Sequence, residues 1–247
     1  KANYQLHPNL NGYLDMQYRG IHYTIEGSDD KAGDHVNVDK HWNFFNPKAG
    51  INFQKGGHNA FVSFSVANRE PGRDERPQHE TLYDYEAGYG FGNSRFHVGA
   101  NLYFMDYSNQ LILTGKISEI GEALTSNIKD SYRMGIELTG GVEIARWLDW
   151  SGNLTLSRNK IKNFIESIEV YDADWNFLRE DHNDLGTTDI AFSPDIIANS
   201  MFNFSWKQFS ASFNSQFVGR QYIDNTSCKD RSIDPYFVSN LRVGYVF

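Results

Sequence analysis

The amino-acid sequence predicts an all-β chain, an antiparallel up-and-down transmembrane β-barrel, and three observations lead there. Apolar and polar residues alternate with a period of two in many successive segments, the pattern of strands with one greasy and one wet face. Gly92-Asn93-Ser94, Ala145-Arg146 and Trp206-Lys207-Gln208-Phe209 are short links, whereas residues 26–42, 68–80, 108–130 and 159–193 are long and polar. Aromatic residues gather beside the short links: Phe91 and Phe96, Trp147 and Trp150, Trp206 and Phe209. Short turns at one rim, long loops at the other and aromatic girdles at the membrane interfaces are properties of outer-membrane barrels.

A strand stub is expected around residues 4–6, followed by fainter alternation over residues 10–25, 44–53 and 60–68. Tyr83, Tyr85, Ala87, Tyr89 and Phe91 then oppose Asp84, Glu86, Gly88 and Gly90. Phe96, Val98, Ala100, Leu102 and Phe104 oppose His97, Gly99, Asn101 and Tyr103. Tyr132, Met134, Ile136, Leu138, Val142 and Ile144 share a face against Arg133, Glu137, Thr139 and Glu143. Leu148, Trp150, Leu154 and Leu156 stand against Asp149, Ser151, Asn153, Thr155 and Ser157. The clearest hairpin has Phe202, Phe204 and Trp206 on one arm and Phe209, Ala211, Phe213 and Phe217 on the other. Residues 236–247 close the series, making about ten strands plus the stub. Each is near the roughly 9–11 residues that cross a bilayer when tilted.

Composition narrows the function. A net charge of −8 without an aromatic-interleaved basic stripe argues against nucleic acid as a partner. The single Cys228 excludes an internal disulfide and reads as a loop thiol. Mean hydropathy is −0.56, which would suggest a soluble chain, yet a spanning strand needs an apolar residue only at alternate positions. A start at Lys1-Ala2-Asn3-Tyr4 reads as a processed, trimmed or fragment terminus. A soluble β-sandwich shares the alternation, but has no reason to place Trp and Phe beside its turns. Wet faces rich in Ser, Asn, Thr and Gly suit a hydrated lumen better than a soluble exterior.

No strong catalytic or metal motif emerges, so neither enzymatic chemistry nor a cofactor is expected. His35 and His41 in their acidic loop match no zinc spacing. Asp172-Ala173-Asp174-Trp175-Asn176-Phe177 begins like a calcium loop, but Phe177 replaces the turn glycine and Asn183 the twelfth-position acid. Loop carboxylates such as Glu75 with Glu80, or Asp181 with Asp184, read as surface charge, and a loop-built hydrolase remains a remote alternative.

Several strings resemble the barrel of TonB-dependent outer-membrane receptors: Phe45-Asn46-Pro47-Lys48-Ala49-Gly50-Ile51-Asn52-Phe53, residues 60–71 ending in Arg69-Glu70-Pro71, residues 100–107, Arg133-Met134-Gly135-Ile136-Glu137, and residues 153–161. Together they cover nearly the whole chain, with a flavour similar to Bacteroidetes receptors. The resemblance implies that residues 1–247 are about half of a 22-stranded barrel, with short periplasmic turns and long extracellular loops. It implies a plug domain absent from this chain and contact with the TonB energy-coupling complex through that plug. Leu241, Val243, Tyr245 and Phe247 alternate up to a terminal aromatic, but similar receptors continue past this strand, so Phe247 is expected to be a truncation point.

The implied function is import of a scarce solute: a ferric siderophore, cobalamin or an oligosaccharide. Outer-membrane lipid surrounds such a wall, and a surface lipoprotein is a candidate partner. Ligand-binding candidates are Arg69, Glu70, Arg73, Arg76, His79, Tyr171, Trp175 and Arg179; Asp84, Glu86, Arg133, Glu137 and Glu143 are expected to face the lumen or the plug. Two other readings stay open, a passive pore or surface-binding barrel and a soluble glycan-binding sandwich.

Overall fold

The computed structural model describes residues 1–28, 35–70, 78–117 and 123–247. Its strands are β1 (Ala2–His7), β2 (Leu10–Ser28), β3 (His35–Lys55), β4 (His58–Arg69), β5 (Glu80–Gly92), β6 (Phe96–Ile117), β7 (Ala123–Ala145), β8 (Leu148–Tyr171), β9 (Phe177–Asp189), β10 (Ile196–Trp206), β11 (Phe209–Val218), β12 (Gln221–Tyr222), β13 (Ser232–Ile233) and β14 (Tyr236–Tyr245). Twelve of these form one sheet in the order β1-β2-β3-β4-β5-β6-β7-β8-β10-β11-β14, with β9 paired to β8, and every pairing is antiparallel. β12 and β13 pair with each other inside the β11–β14 link. β1 and β14 are its open edges, so the wall does not close on itself.

Register converts the alternation of single strands into continuous rows. Leu14, Ala49, Phe64, Tyr85, Phe104 and Met134 lie opposite one another across six strands. A pleat lower, Ile51, Val62, Ala87, Leu102, Ile136, Leu156 and Ile196 make a second row. Further on, Trp150, Phe202, Phe213 and Leu241 continue the same face. These side chains stay uncovered: Val62 is 63% exposed and Leu102 55%. Their polar neighbours Asp84, Glu86, Asn101 and Tyr103 are the half-buried ones. A soluble sandwich would bury the greasy face beneath a second sheet; no second sheet covers it among the described residues, and the sandwich reading falls. The face outward is the apolar one, as in a wall solvated by lipid. A depression of about 1330 Å³ is lined mainly by this band, including Ile51, Leu102 and Ile136.

Aromatic rings bound the band on both sides. Phe64, Tyr85, Phe104 and Tyr132 run edge to edge across β4 to β7, with centroids 5.0, 6.3 and 6.3 Å apart. Near the short turns, Phe91 meets Phe96 at 5.6 Å, and Phe204 meets Trp147 and Phe209 at 5.4 and 5.7 Å. From Phe96 to Phe104 is eight residues, about 26 Å along the strand and about 20 Å along the membrane normal at a ~40° tilt. That covers most of the roughly 25 Å apolar band of an outer-membrane barrel. Inside the band, the Trp150 indole N–H donates to Ser200 Oγ at 3.0 Å, since lipid offers no other acceptor.

The short turns all lie at one rim. In the β3–β4 hairpin Gly56 and Gly57 adopt φ +55° and +84°, the left-handed pair that a two-residue turn requires. A side chain on Gly57 would also meet the Gly92 carbonyl oxygen at 2.3 Å. Gly57→Val is therefore expected to cost about 1–3 kcal/mol in backbone strain alone, read as a lower yield of folded barrel on refolding into detergent; wild-type yield would contradict this turn geometry.

The opposite rim departs from expectation. Most of residues 26–42, 108–130 and 159–193, read as polar loops, continue as strand: β2 and β3 extend to Ser28 and from His35, β6 and β7 to Ile117 and from Ala123, and β8 and β9 fill the last segment. Residues 69 and 80 do bound the β4–β5 link as expected. An antiparallel ladder satisfies backbone N–H and C=O groups whatever the side chains are. Above the membrane neither face needs to be apolar, so the period-two signal vanishes while the strands persist.

These ribbons carry the main buried cluster of the described residues. Ile112, Ile161 and Ile190 pack together, with Ile128 and Phe164 against them. The β11–β14 link folds back onto them: Asn225, 2% exposed, accepts from Ala191 N–H at 2.9 Å and donates to the Leu113 carbonyl at 2.6 Å. Ser227 Oγ donates to Asp189, which also pairs with Lys160. Cys228 is a free thiol in this link, half-buried.

Candidate functional site

Two groups of side chains stand at the long-link rim. The first sits on the inner face where β2 to β5 rise above the apolar band. Arg19 and Phe44 are register partners, on the parity opposite the exposed Met16 and Tyr18. The Arg19 guanidinium lies 5.3 Å from the Phe44 ring centroid and donates to Glu70 Oε2 at 2.8 Å and to the Asn68 carbonyl at 2.9 Å. Phe44 is only 4% exposed. The His79 ring closes the group, 5.7 Å from Trp42 and 5.6 Å from Phe44. Trp42 Nε1 and Arg19 Nε are buried without a partner among the described residues, which is costly unless something else meets them. Beside the group, Arg69 pairs with Glu80 at 2.9 Å, and the same Glu80 oxygen accepts the Leu111 N–H at 2.7 Å.

The second group is the tip of the β8–β9 ribbon. Tyr171 lies 6.2 Å from Trp175 and 6.0 Å from Phe177. Trp175 is 83% exposed and takes φ +64° at the apex. The segment that resembled a calcium loop closes on itself: Asp172 accepts from the Asn176 side chain and from the N–H groups of Asn176 and Asp174. The Asn176 amide is the main reason that the Asp172 carboxyl titrates below its ordinary range. Arg179 forks onto Asp181 at 2.8 and 3.3 Å, lowering the Asp181 pKa and raising its own.

Of the ligand candidates read from sequence, Glu70 and His79 join the Arg19–Phe44 group and Arg69 pairs with Glu80, while Tyr171, Trp175 and Arg179 share another hairpin. Arg73 and Arg76 lie outside the described residues. On the inner wall, Arg133 donates to Asn159 and Ser193 at 3.3 and 3.0 Å. Asp84 accepts weakly from Ser65, and its other oxygen is buried without a partner among the described residues. Glu86 and Glu137 line the same face, and Glu143 stands exposed near the short-turn rim.

Residues 2–247 match the family model described as TonB dependent receptor-like, beta-barrel. The chain belongs to that family. A TonB-dependent receptor barrel lies in the outer membrane, short turns towards the periplasm and long links outside. The siderophore receptor PiuA from Acinetobacter baumannii superposes with a TM-score of 0.75 at 13% identity, over 98% of this chain and 35% of that one. The ferric yersiniabactin uptake receptor FyuA from Yersinia pestis gives 0.71 at 12%, over 98% and 36%. The ferric-catecholate import receptor Fiu from E. coli K12 gives 0.66 at 17%, over 99% and 37%. At such identities the likeness concerns the fold. This TonB-dependent receptor barrel spans little more than a third of the length of those chains. No curated protein matches its sequence.

Arg19, Trp42 and Phe44 are not among the candidates read from sequence, because Arg19 lies within the faint alternation of residues 10–25, Phe44 opens that of residues 44–53 and Trp42 ends a segment that reads as loop. One signal was available: Tyr13, Asp15, Gln17 and Arg19 share a parity opposite Leu14, Met16 and Tyr18, so Arg19 had to point inwards.

Proposed function

We propose that this wall belongs to an energised receptor that binds a scarce solute at the external mouth and passes it through the lumen when TonB acts on a plug domain. The observation that carries the reading is the inward cluster of Arg19, Trp42, Phe44 and His79. Its cation, aromatic faces and unmet Nε1 and Nε donors suit a flat, anionic, aromatic ligand. A ferric siderophore with catecholate arms has that chemistry; of the receptors named above PiuA is a siderophore receptor, FyuA takes up ferric yersiniabactin and Fiu imports ferric catecholates. The lumenal groups Asp84, Glu86, Arg133, Glu137 and Glu143 would then face the plug. An oligosaccharide is the second reading, favoured by the exposed Trp175 and Tyr171 rings, which can stack on sugars; a surface lipoprotein would be its partner.

The test uses the full-length protein in an outer membrane under iron limitation, with a radiolabelled ferric tris-catecholate. Saturable binding is expected, weakened about tenfold by Trp42→Ala or Arg19→Ala, which corresponds to about 1.4 kcal/mol. Accumulation should stop when a protonophore collapses the inner-membrane gradient. Uptake that survives the protonophore would mean a passive pore; binding of oligosaccharide in place of the catecholate would move the site to the β8–β9 tip.

A further inference from the structure

On the outer face of the β2–β3 ribbon, the side opposite the mouth cluster, two histidines and an aspartate converge. His22 and His41 are register partners, and Asp39 lies two residues before His41 on the same face. The imidazole rings stack with centroids 3.8 Å apart and planes within 9°. Both rings turn their Nε2 edge to one carboxylate oxygen: Asp39 Oδ1 is 2.8 Å from His22 Nε2 and 3.7 Å from His41 Nε2. One ligand atom from each residue lies within 4.8 Å of those from the other two. Tyr18, on the same face, is four residues below His22, about 13 Å along the strand, so the trio stands in water above the lipid. Its side chains are half to two-thirds exposed.

We infer that His22, Asp39 and His41 form a binding site for one divalent transition-metal ion. Polarity alone would explain any hydrophilic side chains on an exposed ribbon; it does not explain two imidazole edges aimed at one point. Two ring nitrogens and one carboxylate oxygen make a donor set for zinc, copper or nickel, with water completing the shell, whereas calcium and magnesium want oxygen throughout. The ladder holds both histidines in register, so seating an ion between them needs only side-chain torsions. Ligation needs the Nε2 lone pair, so the proton on the side facing Asp39 must leave it, passing to Nδ1 of a neutral ring or to water from a protonated one. The ion would clip β2 to β3 beside the mouth. Along the sequence, His35 and His41 match no metal spacing; the cross-strand register brings His22 to His41 instead, and the His35 side chain lies outside the described residues.

The test is titration of the full-length receptor in detergent micelles with zinc, and separately with copper(II) followed by electron paramagnetic resonance. One ion per chain is expected, with the copper spectrum showing coupling to two ring nitrogens. His22→Ala, Asp39→Ala and His41→Ala should each weaken binding about tenfold or more, with unchanged melting temperature. His182→Ala, another exposed histidine, should bind as wild type. Affinity equal to wild type in the three variants, a copper spectrum with fewer than two nitrogens, or an equal loss in His182→Ala would overturn the site. Trp42→Ala should leave metal binding intact and His41→Ala should leave catecholate binding intact, so failure of the transport reading and failure of this one are separately visible.

Discussion

Leu138→Arg should destabilise the barrel in a bilayer by about 2–4 kcal/mol, the cost of a cation at the midplane of a lipid-facing strand. Leu138 lies midway between the two aromatic girdles, in the row that runs Ala60, Tyr89, Ala100, Leu138, Leu154 and Ala198. Its side chain points out of the wall, where an ammonium or guanidinium group finds no water and no partner. Thr155 is the matched control, on the neighbouring strand but facing inwards beside Glu137. Thr155→Arg should stay within about 0.5 kcal/mol, since the new cation meets water and a carboxylate. Denaturant unfolding of the full-length receptor in vesicles measures both. A tolerated Leu138→Arg with a costly Thr155→Arg would reverse the two faces.

Ile161→Ala should cost about 2–5 kcal/mol, felt above the membrane and not within it. Ile161 has no exposed surface and joins Ile112 and Ile190 beneath the returning β11–β14 link. Removing its side-chain carbons opens a cavity where the β6–β7 and β8–β9 ribbons meet, and the Asn225 hydrogen bonds that pin the link go to Ala191 and Leu113, the chain neighbours of Ile190 and Ile112. Asn225→Ala attacks the same place through polarity, leaving the Ala191 N–H and Leu113 carbonyl unpaired, at about 1–3 kcal/mol. Amide hydrogen exchange should quicken in residues 110–113, 160–164 and 219–235 for both variants, while the strands between the girdles keep wild-type protection. Unchanged exchange in those segments would show that the external ribbons stand independently of this cluster.

Both expectations rest on features of very different visibility in the amino-acid order. The belt was legible because lipid imposes a strict rule: every second residue must be apolar across the membrane thickness, so β5, β6, β7, β10 and β11 announce themselves one strand at a time. The short turns and their aromatic neighbours follow the same rule. The external ribbons obey no such constraint. β9 and the upper halves of β2, β3, β6, β7 and β8 are formed by backbone pairing without an alternating apolar face, so their residues look like loop even where Ile112, Ile128, Ile161 and Phe164 pack together.

The candidate sites divide in the same way. Arg69, Glu70 and His79 are legible as candidates because charged residues beside a long link stand out. The Arg19–Phe44 stack and the His22–His41 pair need the β2–β3 register, which sets residues about twenty to twenty-five positions apart side by side, and the Trp42–His79 contact joins β3 to the residue before β5. Alternation along one strand says which residues share a face. It carries no information about which residue of the next strand stands alongside, because sliding the pair by two residues keeps every greasy side chain in lipid. The linear order of residues therefore settled the class of the protein, the count of its spanning strands and the orientation of their faces. Which side chains meet at the mouth and on the ribbon was settled by strand register and by the inward fold of the β11–β14 link, through contacts between segments that local patterning leaves free.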